Sequence, residues 1–261
     1  MCSVLVLMSL TTPCRSASPR SLQRGLPHFW LLNSGRPWWR SIVSSITSSS
    51  ARDIRSGLLY GGEWIHGSNG LNCSAGYAHA VSKTSGASYE LTAGHCGAVG
   101  TSFVQGLGGT RTIGKVTGSG TYGSTYTTCD CDAVGGLSSS FTTNQVLTNG
   151  NAKYTYTHTG SPYAGEATCQ TGASSYEQYG SIRCGYVTAI NQTIQESGSP
   201  AGTFTLADCV QTNVHAQSGD SGAPFGDGTG FLGIQSASSG SSQSYFSKAL
   251  NAGIINLNIT Y

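Results

Sequence analysis

A serine set among glycines and an aspartate is the first place in this chain where chemistry can be read. In Gln217-Ser218-Gly219-Asp220-Ser221-Gly222-Ala223-Pro224, Ser221 fits a tight turn that exposes its hydroxyl. The backbone N–H groups of Gly219 and Ser221 can then converge, placing an attacking oxygen beside two fixed donors for an oxyanion. In a chain with 37 glycines, a plain surface turn is the competing reading. A second stretch, Leu91-Thr92-Ala93-Gly94-His95-Cys96, presents a histidine on a turn of small residues, beside a cysteine able to anchor it. Between the two, Thr128-Cys129-Asp130-Cys131-Asp132-Ala133-Val134 offers carboxylates. His95, Asp132 and Ser221 would supply a general base, an orienting carboxylate and a nucleophile. Asp130 competes with Asp132 for the middle role, since residues two apart share a face in an extended segment. Other triad orders fit poorly. No histidine follows Ser221, and the one aspartate before His95 is Asp53.

At these motifs the chain resembles the chymotrypsin-like serine proteases, and within them the streptogrisin and alpha-lytic protease branch. The resemblance runs from about Leu59 to Tyr261. It includes Leu59-Tyr60-Gly61-Gly62-Glu63-Trp64-Ile65, Cys73-Ser74-Ala75-Gly76-Tyr77 and Gln211-Thr212-Asn213-Val214. It implies an all-β fold of two six-stranded antiparallel β-barrels with a short C-terminal helix. The implied activity is that of a serine endopeptidase working through an acyl-enzyme. Because Cys131-Asp132-Ala133-Val134 looks more like the family's motif, the resemblance assigns the orienting role to Asp132.

Several further expectations come from the same resemblance. Cys73 would pair with Cys96 to brace the histidine loop, and Cys169 with Cys184. Cys209 would then take Cys129 or Cys131. Ser236 would hydrogen-bond the triad aspartate and begin the edge strand that receives substrate backbone. Val214, His215, Ala237 and Ser238 would line the primary pocket. His215 stands where the family commonly has cysteine, and no cysteine follows Ser238, so a pocket-flanking bridge is missing as a unit. With no carboxylate at these positions, cleavage after uncharged, mainly apolar residues is expected. A polar or even acidic residue is the runner-up, since His215 and Ser238 could donate hydrogen bonds. Asp220 should turn inward, and a buried carboxylate needs a partner. Gln170 replaces the family's usual arginine, which leaves Arg183, beside Cys184, as the expected partner. The competing reading is a solvent-facing Arg183, with Asp220 held by Gln170 and backbone N–H donors.

The elements that must carry these residues read as short strands separated by Gly/Ser/Asn turns. Tyr77-Ala78-His79-Ala80-Val81, Tyr89-Glu90-Leu91-Thr92 and Phe231-Leu232-Gly233-Ile234 are examples, and no convincing 3.6-residue period occurs before the C-terminus. Residues 1–58 read as a leader or short pro-segment, 59–150 as the first barrel, and 151–261 as the second barrel with a C-terminal segment. Lys248-Ala249-Leu250-Asn251-Ala252 is the expected helix. His95 and Asp132 would come from the first barrel and Ser221 from the second, with the site in the cleft between them.

Charge supports this division. The formal net charge of +2 combines a leader with seven arginines and one acid with a remainder of six basic and ten acidic residues. That remainder offers no nucleic-acid footprint. The apolar run Cys2 to Leu10 has signal-peptide length and is too short for a membrane anchor. The cysteines favour an extracytoplasmic compartment. The expectation is a secreted, monomeric zymogen acting on proteins or peptides, with neither metal nor organic cofactor. A zinc site at Cys129-x-Cys131 fails on spacing. The alternative is a secreted binding protein that keeps the fold without activity.

Overall fold

The computed structural model describes residues 50–240 and 242–261. Its first half runs through β1 (Trp64–Gly67), β2 (Asn72–Ser74), β3 (Tyr77–Ser82), β4 (Ser88–Thr92), β5 (Ser102–Gln105), β6 (Thr112–Ser119), β7 (Tyr126–Thr127) and β8 (Asp132–Gly135). Antiparallel pairing runs β3–β4–β8–β6–β5–β1–β2. β2 and β3 are one stretch of chain interrupted at Ala75 and Gly76, so six strands wrap around a shared core. Ile65, Ala78, Phe103, Val116 and Val134 fill it, and β5 shows the alternating burial of a strand with one face inward.

The hairpin β9 (Gln145–Leu147) and β10 (Lys153–Thr155) leads into the second half. There follow β11 (His158–Thr159), β12 (Ala167–Gln170), helix α1 (Ala173–Tyr179), β13 (Arg183–Ser199), β14 (Gly202–Thr212), β15 (Pro224–Gly226), β16 (Gly230–Ser238), β17 (Ser244–Lys248) and β18 (Leu257–Ile259). The order β16–β15–β12–β13–β14–β17 closes on itself, because β17 also pairs with β16. Val187, Val210, Phe225, Leu232 and Phe246 pack inside, with the Phe225 and Phe246 rings stacked 4.6 Å apart. The expected all-β architecture is present.

Three features differ in detail from the sequence reading. α1 is a helix that periodicity missed, since its seven residues between Gly172 and Gly180 are too few to show a period. The C-terminal helix is a 3-10 helix, Ala249–Ile255, and β18 beyond it returns to pair with β3 of the first sheet. The leader boundary at 58 also cuts through packed chain. Arg52 is fully buried, donates to the Thr148 carbonyl at 3.1 Å and lies 3.9 Å over the Tyr176 ring. The apolar run Cys2 to Leu10 lies outside the described residues.

Two buried glutamates in the first sheet give the stability a pH signature. Glu63 accepts from the Tyr60 N–H at 3.1 Å and from Gln105 Nε2 at 2.9 Å, while Glu90 accepts from the Gly76 N–H at 2.5 Å. Burial pushes each carboxyl up to about 8, against those hydrogen bonds. Between the ordinary glutamate range and about 8, the folded chain therefore holds protons that the unfolded chain has released. Stability falls as pH rises through that window, by on the order of a few kcal/mol. The melting temperature should be lower at pH 8 than at pH 5, and Glu90→Gln should flatten the profile. A profile that rises across this range would contradict the assignment.

Candidate active site

Three segments meet in the cleft. β4 ends at Thr92, and Ala93 leads into the 3-10 turn Gly94–Cys96 that presents His95, tied to β2 by the Cys73–Cys96 disulfide. Asp130 sits on the loop between β7 and β8, and Ser221 on the turn between β14 and β15. His95 Nε2 lies 2.7 Å from Ser221 Oγ, and His95 Nδ1 lies 2.7 Å from Asp130 Oδ2. The backbone N–H of His95 donates to Asp130 Oδ1 at 2.9 Å, so one carboxylate grips both ring and main chain. The Thr121 hydroxyl donates to the same oxygen at 2.7 Å. Gly94 admits this approach, because a Cβ there would stand 2.3 Å from Thr121 Oγ1 and 3.0 Å from Asp130 Oδ1. Burial alone would lower the imidazole pKa. The Asp130 charge and hydrogen bond outweigh it and hold the ring above its ordinary value.

The expected partner, Asp132, is not on the imidazole. It begins β8 in register with Thr92 and Ser119, and among the described residues no donor stands within full hydrogen-bond geometry of either buried carboxylate oxygen. Burial raises its pKa well above the usual range. The neighbouring Asp130 charge adds to this, while Ser119 and the Gly97 N–H oppose it. The two-residue alternation misleads here because Asp130 precedes the strand, on a loop pinched by a Cys129–Cys131 disulfide. That bridge also corrects the expected pairing of Cys209. The Cys209 thiol is buried in β14 with Phe204 and Leu206, donates to the Gln192 carbonyl at 3.3 Å, and is pushed by burial up to about 11. Cys169–Cys184 forms as expected, across directly paired residues of β12 and β13.

The turn before Ser221 is held from below. Gly219 has φ +96°, and a Cβ on it would come within 2.6 Å of the Trp64 ring. Among the described residues, neither the Gly219 nor the Ser221 N–H donates to another protein group. Ser74 braces the turn twice, through its N–H to the Ser221 carbonyl at 2.8 Å and its hydroxyl to the Gly219 carbonyl at 2.9 Å. Asp220 is fully buried, as expected, but Arg183 is not its partner. Its carboxylate accepts from the Ser175 N–H at 2.8 Å, the Ser175 hydroxyl and the Gln217 N–H at 3.0 Å. Arg183 lies over the Tyr179 ring at 4.5 Å, and Gln170 reaches Gln235 instead. Hydrogen bonds from the first turn of α1 replace the cation, which sequence spacing could not disclose. Burial still raises the Asp220 pKa against these donors.

No family model matches the chain. Over 182 residues, 70% of this chain and 95% of the relative, it is 29% identical to serine protease 2 of Streptomyces fradiae. Over 183 residues it is 28% identical to streptogrisin-A of Streptomyces griseus, a match that spans 70% of this chain and 53% of that relative. The crystal structure of Nocardiopsis protease matches with a TM-score of 0.62 at 28% identity, covering 78% of this chain and 99% of that one. These matches support a serine endopeptidase, similar in sequence and fold to the streptogrisin and alpha-lytic protease branch of the chymotrypsin-like proteases.

In this protease the residues expected to contact substrate are only partly together. Ser236, Ala237 and Ser238 line the cleft with His95 and Ser221. Val214 instead sits in the second core, and His215 packs edge-on against Tyr179 with its Nε2 3.0 Å from the phenol oxygen. Alternation along the chain after β14 turns Val214 inward, and the Tyr179 contact spans 36 residues of sequence. Ser236 does not touch the Asp130 carboxylate. Its hydroxyl meets Ser247 Oγ at 2.9 Å, and Ser247 Oγ accepts the Asp130 N–H at 2.9 Å, so the link is indirect. Ser74, Thr121, Ser175 and Ser247 were all missed, being ordinary hydroxyls whose roles appear only through distant contacts. No helix among the described residues is long and apolar enough to cross a membrane.

Proposed function

We propose that this protease hydrolyses peptide bonds through a triad of Ser221, His95 and Asp130. The supporting observation is the continuous hydrogen-bonded line from Asp130 through His95 to Ser221, with both side-chain contacts at 2.7 Å. Ser221 Oγ attacks the scissile carbonyl while His95 Nε2 takes its proton. The Gly219 and Ser221 N–H groups receive the developing oxyanion. The imidazolium then protonates the leaving amine, and water repeats the sequence on the acyl-enzyme. Asp130 fixes the tautomer with the proton on Nδ1 and stabilises the imidazolium. A non-catalytic binding protein would have no use for two uncommitted N–H groups beside a serine already hydrogen-bonded to a histidine.

The substrate residue at the scissile carbonyl is uncharged and mainly apolar in this reading. Gln217, Ser218, Ala237 and Ser238, which line the cleft with Ser221, carry no charge. The three disulfides support a location outside the cytoplasm. The protease acts as a secreted monomer. A peptide panel varied only at the scissile residue should show leucine, methionine or phenylalanine ahead of charged residues. A strong preference for arginine or lysine at that position would overturn the assignment.

A further inference from the structure

The hairpin β13–β14 leans over the cleft. Glu196, Gly198, Ser199 and Pro200 face Gln235 to Ser238 across a cavity of about 240 Å³ that His95 and Ser221 also line. β14 pairs in parallel with β7, Thr205 against Tyr126 and Leu206 against Thr127, a few residues before Asp130. The hairpin is therefore seated on the side of the cleft that carries Asp130 and His95. Burial alternates along β13 at this point. Ile194 and Glu196 are half-buried, while Gln195 and Ser197 are exposed, so Glu196 faces inward.

Glu196 is the one carboxylate lining this cavity, and it makes no hydrogen bond or ion pair with any described residue. Three of the described cations are engaged elsewhere: Lys248 with Asp208, Arg183 over Tyr179, and Arg111 over Phe141. A half-buried carboxylate without a partner carries a desolvation cost that an arriving cation offsets. Burial raises the Glu196 carboxyl, His95 opposes this and Asp130 adds to it, so a bound cation would favour its charged form.

An extended substrate laid along Ser236 to Ser238 projects successive side chains to opposite faces. With the scissile residue directed at the Ala237–Ser238 wall, the residue before it points toward His95 and the hairpin. We infer that Glu196 selects a basic side chain, Lys or Arg, at the substrate position immediately before the scissile residue. This inference rests on the triad reading above.

The test uses two peptides identical except for arginine or its neutral isostere citrulline at that position. In the wild type, kcat/KM should favour arginine by about five- to tenfold, carried mainly by KM, and the ratio should shrink with added salt. Glu196→Gln should bring the ratio close to one, and Glu196→Lys should reverse it in favour of a glutamate peptide. Hydrolysis of both peptides with no arginine preference, or a preference that survives Glu196→Gln, would overturn the inference and leave the triad standing. Failure of the wild type to hydrolyse any peptide would remove both.

Discussion

Ser221→Ala and His95→Ala should each lower kcat by about 10⁴- to 10⁶-fold, and the double variant should be no worse than either single one. The two side chains share one proton across 2.7 Å, so removing either leaves the other without a task. The activity that survives should be about the same in all three variants, since the two N–H groups of the turn remain. Circular dichroism should be unchanged, because Ser221 and His95 contribute little to either core. Additive losses in the double variant would show that the residues act separately.

Asp130→Asn should cost about 10⁴-fold in kcat, whereas Asp132→Asn should leave kcat within a few-fold of wild type. Asp130 holds both the ring Nδ1 and the backbone N–H of His95, while Asp132 touches neither. An asparagine at 130 can present its amide to Nδ1 and favour the wrong tautomer. The pH profile gives a second readout. In the wild type, kcat/KM should fall as pH drops through a pKa above the ordinary imidazole value, because only the neutral ring accepts the serine proton. Without the Asp130 charge, burial dominates, and the acid limb of the residual activity should move to lower pH. Comparable damage from both substitutions would show that the carboxylates act as a pair.

The sequence disclosed what is local. His95 and Ser221 each sit on a turn whose small residues are adjacent in the chain, so motif and geometry coincide. The strands and two of the disulfides were readable for the same reason, through alternation, turn residues and the resemblance. The choice of Asp130 over Asp132 was not, because its place depends on a loop pinched by Cys129 and Cys131 and on Thr121, nine residues away. The support of Asp220 was also hidden. Two of its three donors come from Ser175 of α1, 45 residues earlier, and a charge-based search looks for arginine where hydrogen bonds suffice. Glu196 escaped notice on a strand with no motif, since only the hairpin's lean brings it to the cleft.

The most direct test of the triad is the rate of labelling by a fluorophosphonate probe, with the adduct located by mass spectrometry. The account predicts a single adduct on Ser221 in the wild type, formed far more slowly in His95→Ala and Asp130→Asn and at close to the wild-type rate in Asp132→Asn. No adduct on Ser221, or labelling in His95→Ala as fast as in the wild type, would contradict it.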